Sequence, residues 1–143
     1  MVAIKNESTT IAVDKTVGEI VGLLTRRGTL SVATLYADGR ITGLNFEMKT
    51  EYGPRAYSLP VHTDGVLRVL KVNGAPNARQ NPDQAARIAW RLAKEWLEVQ
   101  IALVDAGLAT LDQVLLPWSL AGDGRTTLYE VYRADAMKAV TSG

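Results

Sequence analysis

The sequence predicts an α+β fold: a three-stranded antiparallel sheet in the order α-β-β-β-α, followed by a helical C-terminal half with one long central helix. Three observations carry this. Asp38-Gly39 lies between two runs rich in β-branched residues, the pattern of a two-residue hairpin turn. From Asn81-Pro82 to about Ala106 the apolar residues keep helical spacing without a breaker. Thr-x-x-Glu or Thr-x-x-Gln capping patterns open several of the remaining segments.

The first helix is expected at Thr16-Val17-Gly18-Glu19, a capping box, with Val17, Ile20, Val21 and Leu24 on one face and Gly28 as its stop. A hairpin follows, Thr29 to Ala37 and Arg40 to Thr50. If Asp38 and Gly39 form the loop, Leu35 faces Thr42, Ala33 faces Leu44 and Ser31 faces Phe46. The core face is then Ala33, Leu35, Leu44, Phe46 and Met48. A third strand is expected near Arg55 to Val61, ending or running along an edge at Pro60. Thr63 or Asp64 caps a short helix, and Asn73 to Asn81 reads as a loop. Asn81-Pro82-Asp83-Gln84 then gives a cap, a first-turn proline and a capping-box glutamine. The stripe Ala85, Ile88, Ala89, Leu92, Trp96, Val99 and Leu103 should face the core. Trp90, Leu97, Ile101 and Val104 lie elsewhere around the helix, so its second half is apolar on most sides and needs a cover. Thr110-x-x-Gln113 opens a helix that Pro117 stops. Thr127-x-x-Glu130 opens a last one, better read as helix than strand.

A chain of 143 residues, 47% hydrophobic and 22% charged, is long enough to bury one core and too apolar to be disordered, so a single domain over 1–143 is expected. No run is apolar enough to cross a bilayer. The opening MVAIKNESTT lacks the layout of a secretory signal, which points to the cytoplasm. With no cysteine and one histidine, thiolate chemistry and sites needing two imidazoles are excluded. A net charge of +1 implies no strong nonspecific pull toward polyanions, so any such site must come from local clustering.

Catalytic motifs are thin. His62 sits at a strand end before a helix cap, without a Gly-x-Ser-x-Gly elbow, and reads as a surface or capping residue. Gly122-Asp123-Gly124 lacks the Lys-Ser/Thr ending of a phosphate loop and reads as a turn. Glu95, Glu98, Asp105 and Asp112 read as solvated surface or capping groups, without the Glu-x-x-His of di-metal helices. No metal and no cofactor are expected.

The basic residues are more suggestive. Arg87, Arg91 and Lys94 form one helical stripe, Arg79 lies just before it, and Arg26 and Arg27 end the first helix. Arg40, Lys49 and Arg55 belong to the strands and turns, near Tyr36, Tyr52 and Tyr57. Cations among exposed aromatic rings can follow a phosphate backbone while the rings stack on bases. The plainer reading of the stripe is the wet side of an amphipathic helix. Among the tryptophans, Trp90 with Leu97, Ile101 and Val104 is a self-association face if its own domain leaves it open.

Several segments resemble one family. These are Thr16-Val-Gly-Glu-Ile20, Asp38-Gly39-Arg40, Tyr57-Ser-Leu-Pro-Val61, Gln84 through Trp96, Leu115-Leu-Pro-Trp118 and Gly124-Arg-Thr-Thr-Leu-Tyr129. Together they are similar to small uncharacterised phage and prophage proteins. The resemblance implies a viral source and a working site in the host cytoplasm, and it supplies no catalytic residue. The α-βββ-α order is also similar to small nucleic-acid-binding folds such as the double-stranded-RNA-binding domain, without the basic motif that opens that domain's last helix.

The expectation is a non-enzymatic, phage-type accessory protein that binds single-stranded nucleic acid, DNA first, as a homo-oligomer. A protein-interaction module acting through an apolar helix face is the alternative. A small metal- or nucleotide-dependent hydrolase using Asp and Glu is the third possibility.

Overall fold

The computed structural model describes residues 3–142; Met1, Val2 and Gly143 lie outside them. Helix α1 spans Val13–Arg26 and starts a turn before the expected capping box. Thr16 is inside it, fully buried, with its hydroxyl donating to Ala12 O at 3.5 Å. The apolar face already begins at Val13, which packs against the core, and burying that extra turn outweighs a cap at Thr16. Gly28, at φ +76°, takes the left-handed conformation that stops the helix.

Strands β1 (Ser31–Ala37), β2 (Arg40–Thr50) and β3 (Gly53–Ser58) form one antiparallel sheet in the order β1-β2-β3. Asp38 (φ 51°) and Gly39 (φ 73°) both have positive φ, as a type I′ hairpin turn requires, and Ala37 pairs Arg40 across it. The pairing then departs from the simple two-residue register. Tyr36 pairs Ile41 but Leu35 pairs Gly43, so Thr42 is an extra, bulged residue. One inserted residue exchanges the two faces of everything beyond it. Val32 therefore faces Phe46 and Thr34 faces Leu44, while Ala33 and Leu35 turn to the outer face. Leu35 lies over Gly43, where an added Cβ would come within 3.3 Å of Leu35 Cδ1. On the inner face Leu44, Phe46 and Met48 are buried, and the Phe46 ring stands 5.6 Å from that of Tyr57.

Helices α2 (Thr63–Val72), α3 (Pro82–Asp105), α4 (Leu111–Leu115) and α5 (Leu128–Ser142) complete the chain, with 3-10 turns at Asn77–Arg79 and Leu116–Trp118. α3 is the central element. It packs against α1 and α2, and its buried stripe is Ala85, Ile88, Ala89, Ala93 and Leu97 together with Trp90. The expected stripe is thus rotated: Val99 is exposed, while Leu92, Trp96 and Leu103 are only half-buried. Trp90 belongs to the main core with Ile20, Leu24, Leu44, Phe46, Tyr57 and Leu115. A satellite core joins α2 to α3 through Leu70, Ala75, Ala85 and Ile88.

Asn81 caps α3 as its sequence predicts, Oδ1 accepting from Gln84 N at 2.8 Å. The Gln84 side chain does not complete the capping box. Its Nε2 donates to Glu7 O (2.8 Å) and Thr9 O (2.9 Å), so a buried amide straps the N-terminal segment across α3. Capping boxes do form at Thr110–Gln113 and at Thr127–Glu130, each with reciprocal bonds. Among the described residues no helix is long and apolar enough to cross a membrane.

Candidate interaction surfaces

The basic residues do not converge on one groove. Arg91 Nη1 and Lys94 Nζ both meet Glu19 Oε2, at 2.8 and 2.7 Å, across the seam between α1 and α3. Arg79 is tied to Glu7 at 3.0 Å, Arg40 to Asp83 at 2.7 Å, and Arg27 to Asp105. Arg87 donates from Nε and Nη2 to Gln84 Oε1 at 2.9 and 2.7 Å, which completes the hydrogen bonding of that buried amide. Arg91 and Lys94 therefore join α1 to α3, whereas Arg87 is held by a neutral amide on its own helix and makes no ion pair among the described residues. A cation already paired with a carboxylate presents little net field to a polyanion. Arg26, Lys49 and Arg55 make no ion pair among the described residues. Arg26 ends α1, whereas Lys49 and Arg55 belong to the β2–β3 hairpin.

Two grooves each gather part of the expected set. One, of about 770 Å³, lies between α1, the tip of the β1–β2 hairpin and the start of α3, and is lined by Tyr36, Arg40 and Arg87 over Val17, Val21 and Ile41. The other, about 380 Å³, brings Tyr52, Arg55 and Tyr57 together beside Asp112 and Leu128. Tyr36 (64% exposed) and Tyr52 (72%) are open rings. Tyr57 is not: at 2% exposure it is a core residue, and burial pushes its hydroxyl pKa up. It is withdrawn as a stacking platform, because its inward face follows from its pairing with Phe46.

The apolar flank of α3 also changes. Trp90 (0% exposed) and Leu97 are core residues and cannot meet a partner. Ile101 and Val104 are half-buried and line an apolar cavity of about 130 Å³ with Met48, Leu111 and Val114. The largest group of exposed apolar side chains on one element lies on α5. Leu128, Tyr129, Val131, Tyr132, Met137 and Val140 are all open, Val140 at 81%. The rings of Tyr129 and Tyr132 are 6.2 Å apart. The substantial packing of α5 among the described residues is against the turn Leu116–Trp118, where Trp118 stacks edge-on to Trp96 at 4.6 Å.

The start of α5 is well built. Asp123 Oδ1 accepts from the N–H groups of Arg125 and Thr126, each at 2.9 Å. The Thr126 hydroxyl, which donates to Oδ2, and then these backbone bonds lower the Asp123 pKa to about 2. The sequence predicts this helix but not how much of its apolar surface is left open. His62 is exposed at the N-cap of α2 and its side chain makes no capping bond. No family model matches the chain, and no curated protein or solved structure matches it.

Proposed function

We propose that this chain is a non-enzymatic accessory protein of phage type that works in the host cytoplasm as a protein-interaction module, with α5 as its adhesive element. The observation that carries the reading is the surface of α5: six large apolar or aromatic side chains left open on a helix anchored at its N-terminal end. Soluble domains rarely leave such a cluster uncovered unless it serves a contact. Aromatic residues supply large contact area at low conformational cost, and Tyr is enriched at binding hot spots. Glu130, Arg133 and Asp135 alternate in sign along the same helix and would form the polar rim of such a contact. The test is a photo-cross-linking amino acid in place of Tyr132, expressed in the host cell. A discrete adduct with a second protein species, lost on Met137→Gln with Val140→Gln, is expected. Absence of any adduct would end the proposal.

A second reading keeps single-stranded nucleic acid as the ligand, at the β2–β3 end only. Arg55, without an ion pair among the described residues, lines one groove with the open Tyr52 ring, and Lys49, also without one, lies on the adjoining end of β2. Two cations and one ring make a weak site. The salt slope of such binding would be roughly −1.4 in log–log terms, from about −0.7 per single-strand phosphate contact. Anisotropy titrations of labelled oligonucleotides at two salt concentrations decide it. A steep slope would require the paired arginines to be recruited as well, and no binding at low salt would remove this reading.

A further inference from the structure

The two edges of the sheet are treated differently. On the β3 side Ser119 bridges Tyr57, and Leu120 N donates to Ala56 O at 2.8 Å, so that edge is partly covered by the chain itself. On the other side β1 is the outermost strand and has no strand partner beyond it among the described residues. Its sequence, Ser31-Val-Ala-Thr-Leu-Tyr-Ala37, contains no charge and no proline. Edge strands are normally blunted by lysine, proline, a bulge or extreme shortness, because a row of unmet N–H and C=O groups recruits another strand. The bulge here sits on β2, at Thr42, and leaves the β1 backbone continuous. Leu30, Leu35 and Tyr36, all exposed, lie on or beside this edge.

We infer that β1 pairs antiparallel with β1 of a second copy, joining two sheets into one continuous six-stranded sheet. The strand is complementary to itself. With the two-fold axis at Thr34, Thr34 meets its own counterpart, Val32 lies opposite the partner's Tyr36, and Ala33 lies opposite the partner's Leu35. Thr–Thr and aromatic–β-branched pairs are favourable cross-strand neighbours, and no like charges meet. A two-fold interface requires this kind of self-complementary patch. Residues directly opposite share a face, so each Tyr36 ring is delivered to the helical side of the neighbouring sheet, beside the groove that Val17, Val21 and Thr34 line. That matters for size. A seven-residue strand is only about 23 Å long, and edge pairing alone falls short of the roughly 800 Å² per partner of a standard interface. Rings packed beside that groove supply the remainder. The inference is independent of α5.

The absence of cysteine gives a direct test. On a two-fold axis at Thr34 the two Cβ atoms are about 5 Å apart. Thr34→Cys should therefore oxidise rapidly to a covalent dimer, while Val140→Cys on α5 should not. Sedimentation of the full wild-type chain at tens of micromolar should give twice the chain mass, and Thr34→Lys, which sets like charges against each other, should give the monomer with unchanged far-UV circular dichroism. Should Thr34→Lys fail to fold, the cysteine pair decides alone. A wild-type monomer would overturn the inference, as would a dimer that persists in folded Thr34→Lys. Faster cross-linking at Val140→Cys would overturn it too and assign self-association to α5.

Discussion

Glu19 Oε2 lies 2.8 Å from Arg91 Nη1, and that single contact changes the meaning of the most suggestive stripe in the sequence. Lys94 reaches the same oxygen at 2.7 Å. A carboxylate on α1 thus holds two cations of α3, and the three side chains fasten the helices together.

The Glu19 contact makes stability depend on pH. Hydrogen bonds from Lys94 and Arg91 hold the Glu19 pKa below its ordinary 4.5. A carboxylate with a lowered folded-state pKa stabilises above its unfolded value and loses that contribution as pH falls through its folded one. Wild type should therefore melt above Glu19→Gln at neutral pH, with the gap closing progressively below about pH 4.5. Thermal melts of both proteins between pH 7 and pH 3 check it, and a gap independent of pH would show that the ion pairs are not its source.

Trp90 should act on stability and not on association. Trp90→Ala opens a cavity in the main core and should cost roughly 3–5 kcal/mol in urea unfolding. The indole Nε1 has no hydrogen-bond partner among the described residues, so Trp90→Phe forfeits no hydrogen bond and should cost clearly less than Trp90→Ala. Equal losses for the two would mean that the indole nitrogen has a partner after all.

The hairpin turn offers a conformational test. Gly39, at φ +73°, sits where a β-branched residue is strained, so Gly39→Val should destabilise by about 1–2 kcal/mol. Gly39→Asn should cost markedly less, since asparagine tolerates the left-handed region. Urea midpoints of the two variants make the comparison. A tolerated valine would mean that the turn relaxes to another type and that the Thr42 bulge moves with it.

Local signals were legible in the sequence, and signals that depend on distant partners were not. The Asp38-Gly39 turn, the Asn81-Pro82 start of α3 and the boxes at Thr110 and Thr127 are set by residues a few positions apart, and all appear where expected. The Thr42 bulge is a single inserted residue whose one local mark is the neighbouring strand glycine, Gly43, yet it exchanges Leu35 for Val32 on the core face. Thr16-x-x-Glu19 has the letters of a capping box, but Glu19 is claimed by cations more than seventy positions away. Gln84 is likewise diverted, by the carbonyls of Glu7 and Thr9. The site followed the same rule. Charge can be read from residue type, whereas neutralisation depends on which elements pack together. The open face of α5 was hidden because its helix is short of neighbours, a property of the fold and not of its own letters.

The central claim is that α5 serves contact with another protein and contributes little to the chain's own core. Its most direct test is the triple variant Tyr132→Gln, Met137→Gln and Val140→Gln, which retains residues of good helix propensity. Its melting temperature and its photo-adduct, with the cross-linker moved to position 129, are to be measured side by side. The account predicts a melting temperature close to wild type and loss of the adduct. A collapse in melting temperature with the adduct intact would contradict it, because those side chains would then belong to the protein's own interior.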